Sequence, residues 1–184
     1  MLDYFTFDHR AYLVLEYIDS ISLKDLVLQN GAISQTRAIN IIKQVGEILS
    51  YLHKMDPPII HRDLTPDNIL LQENDKVKLI DFNVAKQMTG VTIVSKVVGK
   101  HAYMPPEQFQ GKATTQSDIY SLGASLFYLL TAIEPTPISI SSPKSINNQI
   151  DGRIDEIVKK ATSLKLENRY STIEELLADI AKVN

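Results

Sequence analysis

Hydrophobic and polar positions divide the chain into a short strand-like beginning and a long helical remainder. Tyr4-Phe5-Thr6-Phe7 and the run Ala11 to Ile18, on either side of polar Asp8-His9-Arg10, predict a β-hairpin. Two strands alone are marginal in water and need partners. After Asp19-Ser20 the period turns helical, with Ser22 as a cap for 23–29 and Asn30-Gly31 as the stop. Ser34 opens a long helix to about Lys54, with Ile41, Val45, Ile48, Leu49 and Leu52 on one face. Residues 69–71 and 77–80 predict short strands joined by the turn Glu73-Asn74-Asp75, and 86–100 a polar loop. Pro105-Pro106 opens a helical turn ending near Gly111, and the very apolar 116–131 predicts a helix at the hydrophobic centre. A Pro-, Ser- and Asn-rich loop at 133–150 precedes two amphipathic helices, at about 154–163 and 172–183. A few strands followed by many helices give an α+β fold, mostly α.

Composition narrows this picture only a little. The 184 residues, 44% hydrophobic and 22% charged, suffice for one domain with a real core. A net charge of -3 gives no support for nucleic acid as a partner. The absence of cysteine excludes disulfides and thiolate metal sites. No apolar run approaches the roughly 18 residues of a spanning helix, and no signal-peptide pattern opens the chain. A soluble, cytoplasmic protein is the expectation.

Chemistry concentrates in His61-Arg62-Asp63-Leu64-Thr65-Pro66-Asp67-Asn68, where an Asn follows an Asp by five positions on one loop. Thirteen residues later, behind the apolar run Val77 to Ile80, stands Asp81-Phe82-Asn83. This combination resembles the H-R-D-x-x-x-x-N loop and D-F-G motif of a eukaryotic-type Ser/Thr protein kinase of bacterial type, along the whole chain. The resemblance implies that Asp63 accepts the hydrogen of a substrate hydroxyl, while Asn68 and Asp81 are oxygen ligands to Mg²⁺. ATP and a protein substrate are then the implied partners. Glu107 in Met104-Pro105-Pro106-Glu107 resembles the Glu of A-P-E, with Arg169 as its ion-pair partner. Asp118 in Asp118-Ile119-Tyr120-Ser121-Leu122-Gly123 matches D-x-W-x-x-G, whose Asp holds the catalytic-loop backbone; Tyr120 replaces the Trp. His61 and Phe82 resemble two members of the hydrophobic spine, with Leu2 as a third. Every His is therefore better explained by packing or exposure than by metal binding, and no H-E-x-x-H spacing occurs.

Three positions depart from the pattern. Ser/Thr kinases usually carry Lys two residues after the catalytic Asp, where it touches the transferring phosphate; here it is Thr65. Their usual Thr after the Gly that opens the segment leading to A-P-E is here Lys100, after Gly99. The two residues have exchanged places, which suggests that Lys100 delivers the charge from the other loop and pairs with Thr65. Asn83 stands where Gly is usual, and Asn is the least costly replacement in the left-handed region. Arg62 is the expected receiver of a phosphate on Thr89, Thr92 or Ser95.

Glu16-Tyr17-Ile18 resembles the hinge that meets adenine, with Leu15 as gatekeeper and Leu70 as the apolar floor; both leucines are also expected core residues. The match begins near the fourth strand of the small lobe, so 1–18 reads as a small-lobe remnant and hinge and 19–184 as the large C-terminal lobe. The fold expected is thus a protein-kinase-like C-terminal lobe preceded by two orphan small-lobe strands. The first Lys is Lys24 and the first Gly is Gly31, so no Gly-rich loop or ATP-binding Lys precedes Asp63. Met1 is then either an internal methionine of a longer kinase or a genuine start. An isolated large lobe would lose most activity and associate through the strand edges of 4–18. A non-catalytic, pseudokinase-like binding module is the alternative function. A choline- or aminoglycoside-type phosphotransferase shares the Asp and Asn logic but not the Pro-Pro-Glu and Asp118–Gly123 segments.

Overall fold

The computed structural model describes residues 2–82 and 100–183, with Lys100 described by its backbone alone. Asn83, Thr89, Thr92, Ser95, Gly99 and the side chain of Lys100 lie outside the described residues, as does the predicted loop short of its last residue. The hairpin is β1 (Asp3–Phe7) and β2 (Arg10–Val14), paired antiparallel with Phe5 opposite Tyr12. Those two rings stack with centroids 5.1 Å apart. Asp8 and His9 both take positive φ, as a two-residue turn matched to strand twist requires. Arg10 therefore belongs to β2 rather than to the turn, and β2 ends at Val14, since Leu15 to Ile18 find no strand to pair with among the described residues.

Every residue from 2 to 17 is exposed. This corrects two expectations. Leu2 is 71% exposed rather than part of a spine, and Leu15 is 63% exposed rather than a core residue. Both flank a two-stranded sheet that nothing among the described residues covers.

The remainder is helical around one core. α1 (Leu23–Asn30) is capped by the Ser22 hydroxyl, which accepts from Asp25 N, and ends at Gly31, whose φ of 75° suits glycine. α2 (Gln35–His53) is capped by Ser34; Ile41, Val45 and Leu49 are buried along it, with Ile48 and Leu52 partly buried at the margin. A three-stranded sheet, order β3-β4-β5, joins Ile21–Ser22, Ile69–Leu71 and Val77–Leu79 antiparallel. β3 is absent from the sequence reading because two residues carry no alternation to detect.

α3 (Pro106–Phe109) leads to α4 (Thr115–Thr131), which is buried from Ser117 to Leu130 without a break. A helix apolar on every side belongs in the middle of a protein; α2 and α5 (Gly152–Ala161) pack against it, and α6 (Ile173–Ile180) packs on α2 and α5. Gly123 makes the α4–α5 contact possible: a Cβ there would stand 2.6 Å from the Ala161 Cβ. α5 starts and ends two residues before the predicted span, because Asp151 caps it by accepting from Arg153 N. No described helix is long and apolar enough to cross a membrane.

Glu107 and Arg169 form the expected pair in a dry setting. The guanidinium meets both carboxylate oxygens, at 2.7 and 3.3 Å, and the Ser117 hydroxyl donates to the same carboxylate at 2.8 Å. Arg169 also donates to the carbonyls of Ser163 and Gln116 and lies over the ring of Tyr120. Burial pushes the Glu107 carboxyl up, but Arg169, a backbone N–H and Ser117 outweigh it and hold the pKa below its ordinary value. This knot fixes α3 to the far end of the core.

Candidate active site

The loop 61–68 is held from below by one carboxylate. Asp118, in the first turn of α4, is fully buried. Its Oδ1 accepts from Arg62 N at 3.0 Å, and its Oδ2 accepts from His61 N at 2.9 Å. His53 Nε2, from the last turn of α2, stands 2.9 Å from the same Oδ2. The sequence indicated Asp118 but not His53, whose only signal is its place near the end of α2. With its amide anchored in this way, Arg62 adopts a φ of 67°, outside the range favoured by L-residues. The Arg62 carbonyl in turn accepts from Gln108 Nε2 at 2.5 Å, a second brace that the sequence did not reveal.

Asp63 and Asn68 come together as expected. Asn68 Nδ2 donates to the Asp63 carbonyl at 2.7 Å and to its Oδ2 at 3.2 Å. The turn between them is closed by Thr65 N to Asp63 O and Asn68 N to Thr65 O. The amide nitrogen of Asn68 is thereby directed to Asp63, leaving Oδ1, an oxygen of the kind Mg²⁺ accepts. The donor set of Asn68 and Asp81 thus fits a hard divalent cation. Among the described residues no group of three or more His, Asp or Glu is placed to hold a metal ion by itself. That suits Mg²⁺, which usually takes one or two carboxylates together with phosphate oxygens and water.

Asp81 is tied to this loop through its neighbours. Ile80 N donates to the Asn68 carbonyl at 3.1 Å, and His61 Nε2 lies 3.2 Å from the Ile80 carbonyl. The His61 and Phe82 rings are 4.7 Å apart, so two of the three expected spine members touch. Asp81 is exposed with a φ of 61°, which turns its side chain out of the strand direction just past β5.

The other predicted positions are more scattered. Thr65 is buried, and its hydroxyl oxygen has no hydrogen-bond partner among the described residues. Lys100 begins the 3₁₀ turn Lys100–Tyr103. Glu16 is exposed and pairs with Lys78 at 3.1 Å, while the Ile18 carbonyl accepts from the Ser20 hydroxyl at 3.1 Å. Leu70 is half-buried in β4.

His61 gives the site a pH signature. Burial drives its pKa below the ordinary 6.5, against the charges of Asp118, Asp63 and Asp81 and the bond to the Ile80 carbonyl, all of which favour the cation. The unfolded chain therefore takes up this proton before the folded one. The His61 contribution to stability is complete above about pH 6.5 and is lost as pH falls towards the lowered value. We expect denaturant midpoints to decline below pH 6.5, and a His61→Phe variant to show a shallower decline over that interval. An equal slope in both proteins would contradict this assignment.

Comparison with known proteins accounts for the same geometry. The protein kinase domain family matches residues 1–184. A probable serine/threonine-protein kinase of Clostridium perfringens is 35% identical over 199 residues, covering 100% of this chain and 29% of that protein. The serine/threonine-protein kinase PknB of Mycolicibacterium smegmatis is 35% identical over 191 residues, covering 94% of this chain and 30% of its own. The chain thus spans less than a third of either relative. Among solved structures, the PknI kinase domain of Mycobacterium tuberculosis aligns with a TM-score of 0.75 at 20% identity, over 98% of this chain and 69% of that one. Rad53 in complex with AMP-PNP aligns with a TM-score of 0.72 at 25% identity, over 96% and 48% of the two chains. An Asp–Asn loop braced by a buried helix carboxylate, in a sequence matched from end to end, makes the chain a member of the protein kinase family.

Proposed function

We propose that this chain is the large lobe of a Ser/Thr protein kinase that moves the γ-phosphoryl group of ATP to a protein hydroxyl, with 1–18 a small-lobe remnant and hinge. The observation that carries this reading is the pairing of Asp63 with Asn68 on a loop fixed from α4. Asp63 orients the acceptor hydroxyl and takes its hydrogen. Asn68 and Asp81 would hold Mg²⁺, which supplies charge neutralisation on the phosphates when bound. The backbone at Glu16 and Ile18 and the side chain of Leu70 would frame the adenine, and Rad53, a related fold, was solved with an ATP analogue. A cytoplasmic setting suits ATP as donor. Joined to a complete small lobe, the protein with Mg²⁺ and γ-labelled ATP should label a serine-rich protein, and Asp63→Asn should reduce the rate by about 100-fold or more. Labelling that Asp63→Asn leaves unchanged would overturn the assignment.

The Thr65 hydroxyl, unpartnered among the described residues, supports the exchange of Lys and Thr between the two loops. In this reading the Lys100 ammonium donates to Thr65 and reaches the transferring phosphate. Thr65→Lys and Lys100→Thr should each slow transfer, and the double variant should recover most of the loss. A double variant no faster than the slower single one would sink the exchange.

A non-catalytic binding module is the second reading. It is favoured by the exposed apolar hairpin. Among the described residues both outer edges of β1–β2 are unpaired, and pairing with a second copy would cover them. Sedimentation should therefore show a concentration-dependent dimer that Phe7→Lys and Leu13→Lys weaken together; a monomer throughout would refute it.

A further inference from the structure

A niche beside the catalytic loop already contains an ammonium group, and it belongs to this chain. Lys24, in the first turn of α1, pairs with Glu134. Its Nζ stands 4.6 Å from the centroid of the Tyr128 ring. Tyr103 donates its hydroxyl to the other Glu134 oxygen at 2.7 Å and meets Tyr128 edge to face at 6.4 Å. Burial raises the pKa of both phenols. The charge of Asp67 adds to this at each, and that of Asp25 adds to it at Tyr128. The niche thus holds one carboxylate, Glu134, two aromatic walls and one lysine.

Its position matters as much as its charge. Asp67 is exposed and lies four residues after Asp63, in the 3₁₀ turn Pro66–Asn68 against which α1 packs. Tyr103 closes the turn that precedes Pro105. Glu134 follows the end of α4 and its side chain is 43% exposed, against 23% for Lys24. An extended peptide advances about 3.5 Å per residue. A side chain two or three residues from a hydroxyl at Asp63 is thus carried roughly 7 to 10 Å along the chain, on the scale of the step from Asp63 to the turn on which α1 packs.

We propose that Lys24 sets the charge preference of the protein substrate, by occupying the place that a basic side chain flanking the acceptor hydroxyl would take. The inference rests on the kinase reading given above. Carboxylates and an aromatic face are what a lysine or arginine seeks. Lys24 satisfies them from within the chain and loses no translational freedom in doing so, whereas a peptide must. The chain as built then gains little from a basic flanking residue, and removal of Lys24 opens a subsite for arginine.

The test measures peptide binding, so it needs no phosphate transfer. Fluorescent serine peptides carrying Arg, Ala or Glu two and three residues before the serine are titrated by anisotropy at low salt. Wild-type protein and Lys24→Arg should bind the Arg and Ala peptides about equally. Lys24→Met should prefer the Arg peptide by about tenfold, and Lys24→Met with Glu134→Gln should lose that preference. The same Arg-to-Ala ratio in all four proteins overturns the proposal, because a purely structural lysine would not move it. Melting curves report whether Lys24→Met folds. If it does not, Glu134→Gln alone decides, since it releases Lys24 and must shift preference towards the Glu peptide. An unchanged ratio in a protein that transfers phosphate through Asp63 defeats this inference alone. A Lys24-dependent ratio in a protein without such transfer defeats only the kinase reading.

Discussion

The carboxylate of Asp118 is the constraint on which the rest of the site depends. It is a charge without access to water, and such a group is tolerated only when hydrogen bonds replace its hydration. Three donors do so: the amides of His61 and Arg62 and the His53 ring. Three parts of the fold meet at this point. α4 supplies the carboxylate from the centre of the core, α2 supplies the ring, and the loop supplies two amides that no strand or helix would otherwise satisfy. Once those amides point down at Asp118, the backbone must turn through the left-handed conformation at Arg62. That turn presents the loop from Asp63 to Asn68 at the surface of the core.

The second half of the site hangs from the first. Asn68 lies immediately before β4, and its carbonyl accepts from Ile80 just beyond β5. His61 reaches the same segment through the Ile80 carbonyl and the Phe82 ring. The polar groups that would handle phosphate are therefore positioned by backbone bonds and one ring contact, without relying on flexible side chains. This is the arrangement expected where positioning and electrostatics supply most of the catalysis.

Much of this was legible in the sequence, and what was not has a common cause. The helices were read to within a few residues because their signals are local: Ser22 and Ser34 as caps, the Ile41–Val45–Leu49 stripe, the unbroken apolar run of α4. The Asp63–Asn68 spacing and the Glu107–Arg169 pair were recovered because motif positions stand in for contacts. What failed was long-range. β3 exists only through Leu70 and Leu71, roughly fifty residues on. The end of β2 at Val14 depends on what Leu15 to Ile18 lack as partners, not on their apolar character. Lys24 and Glu134 lie 110 positions apart, and no periodicity joins them.

The exposed hairpin gives the chain two levels of cohesion. β1 and β2 bond to each other and form a sheet separate from β3-β4-β5, and no side chain from 2 to 17 enters the core. Opening the hairpin breaks its own ladder and exposes little surface that was not exposed before. Its free energy of opening is then set by a handful of cross-strand pairs, while α4 and its neighbours open only with the whole. The amides of Asp3 to Val14 belong to a fast-exchanging unit and those around Asp118 to the slowest one, so the chain carries its least persistent structure directly alongside its most persistent.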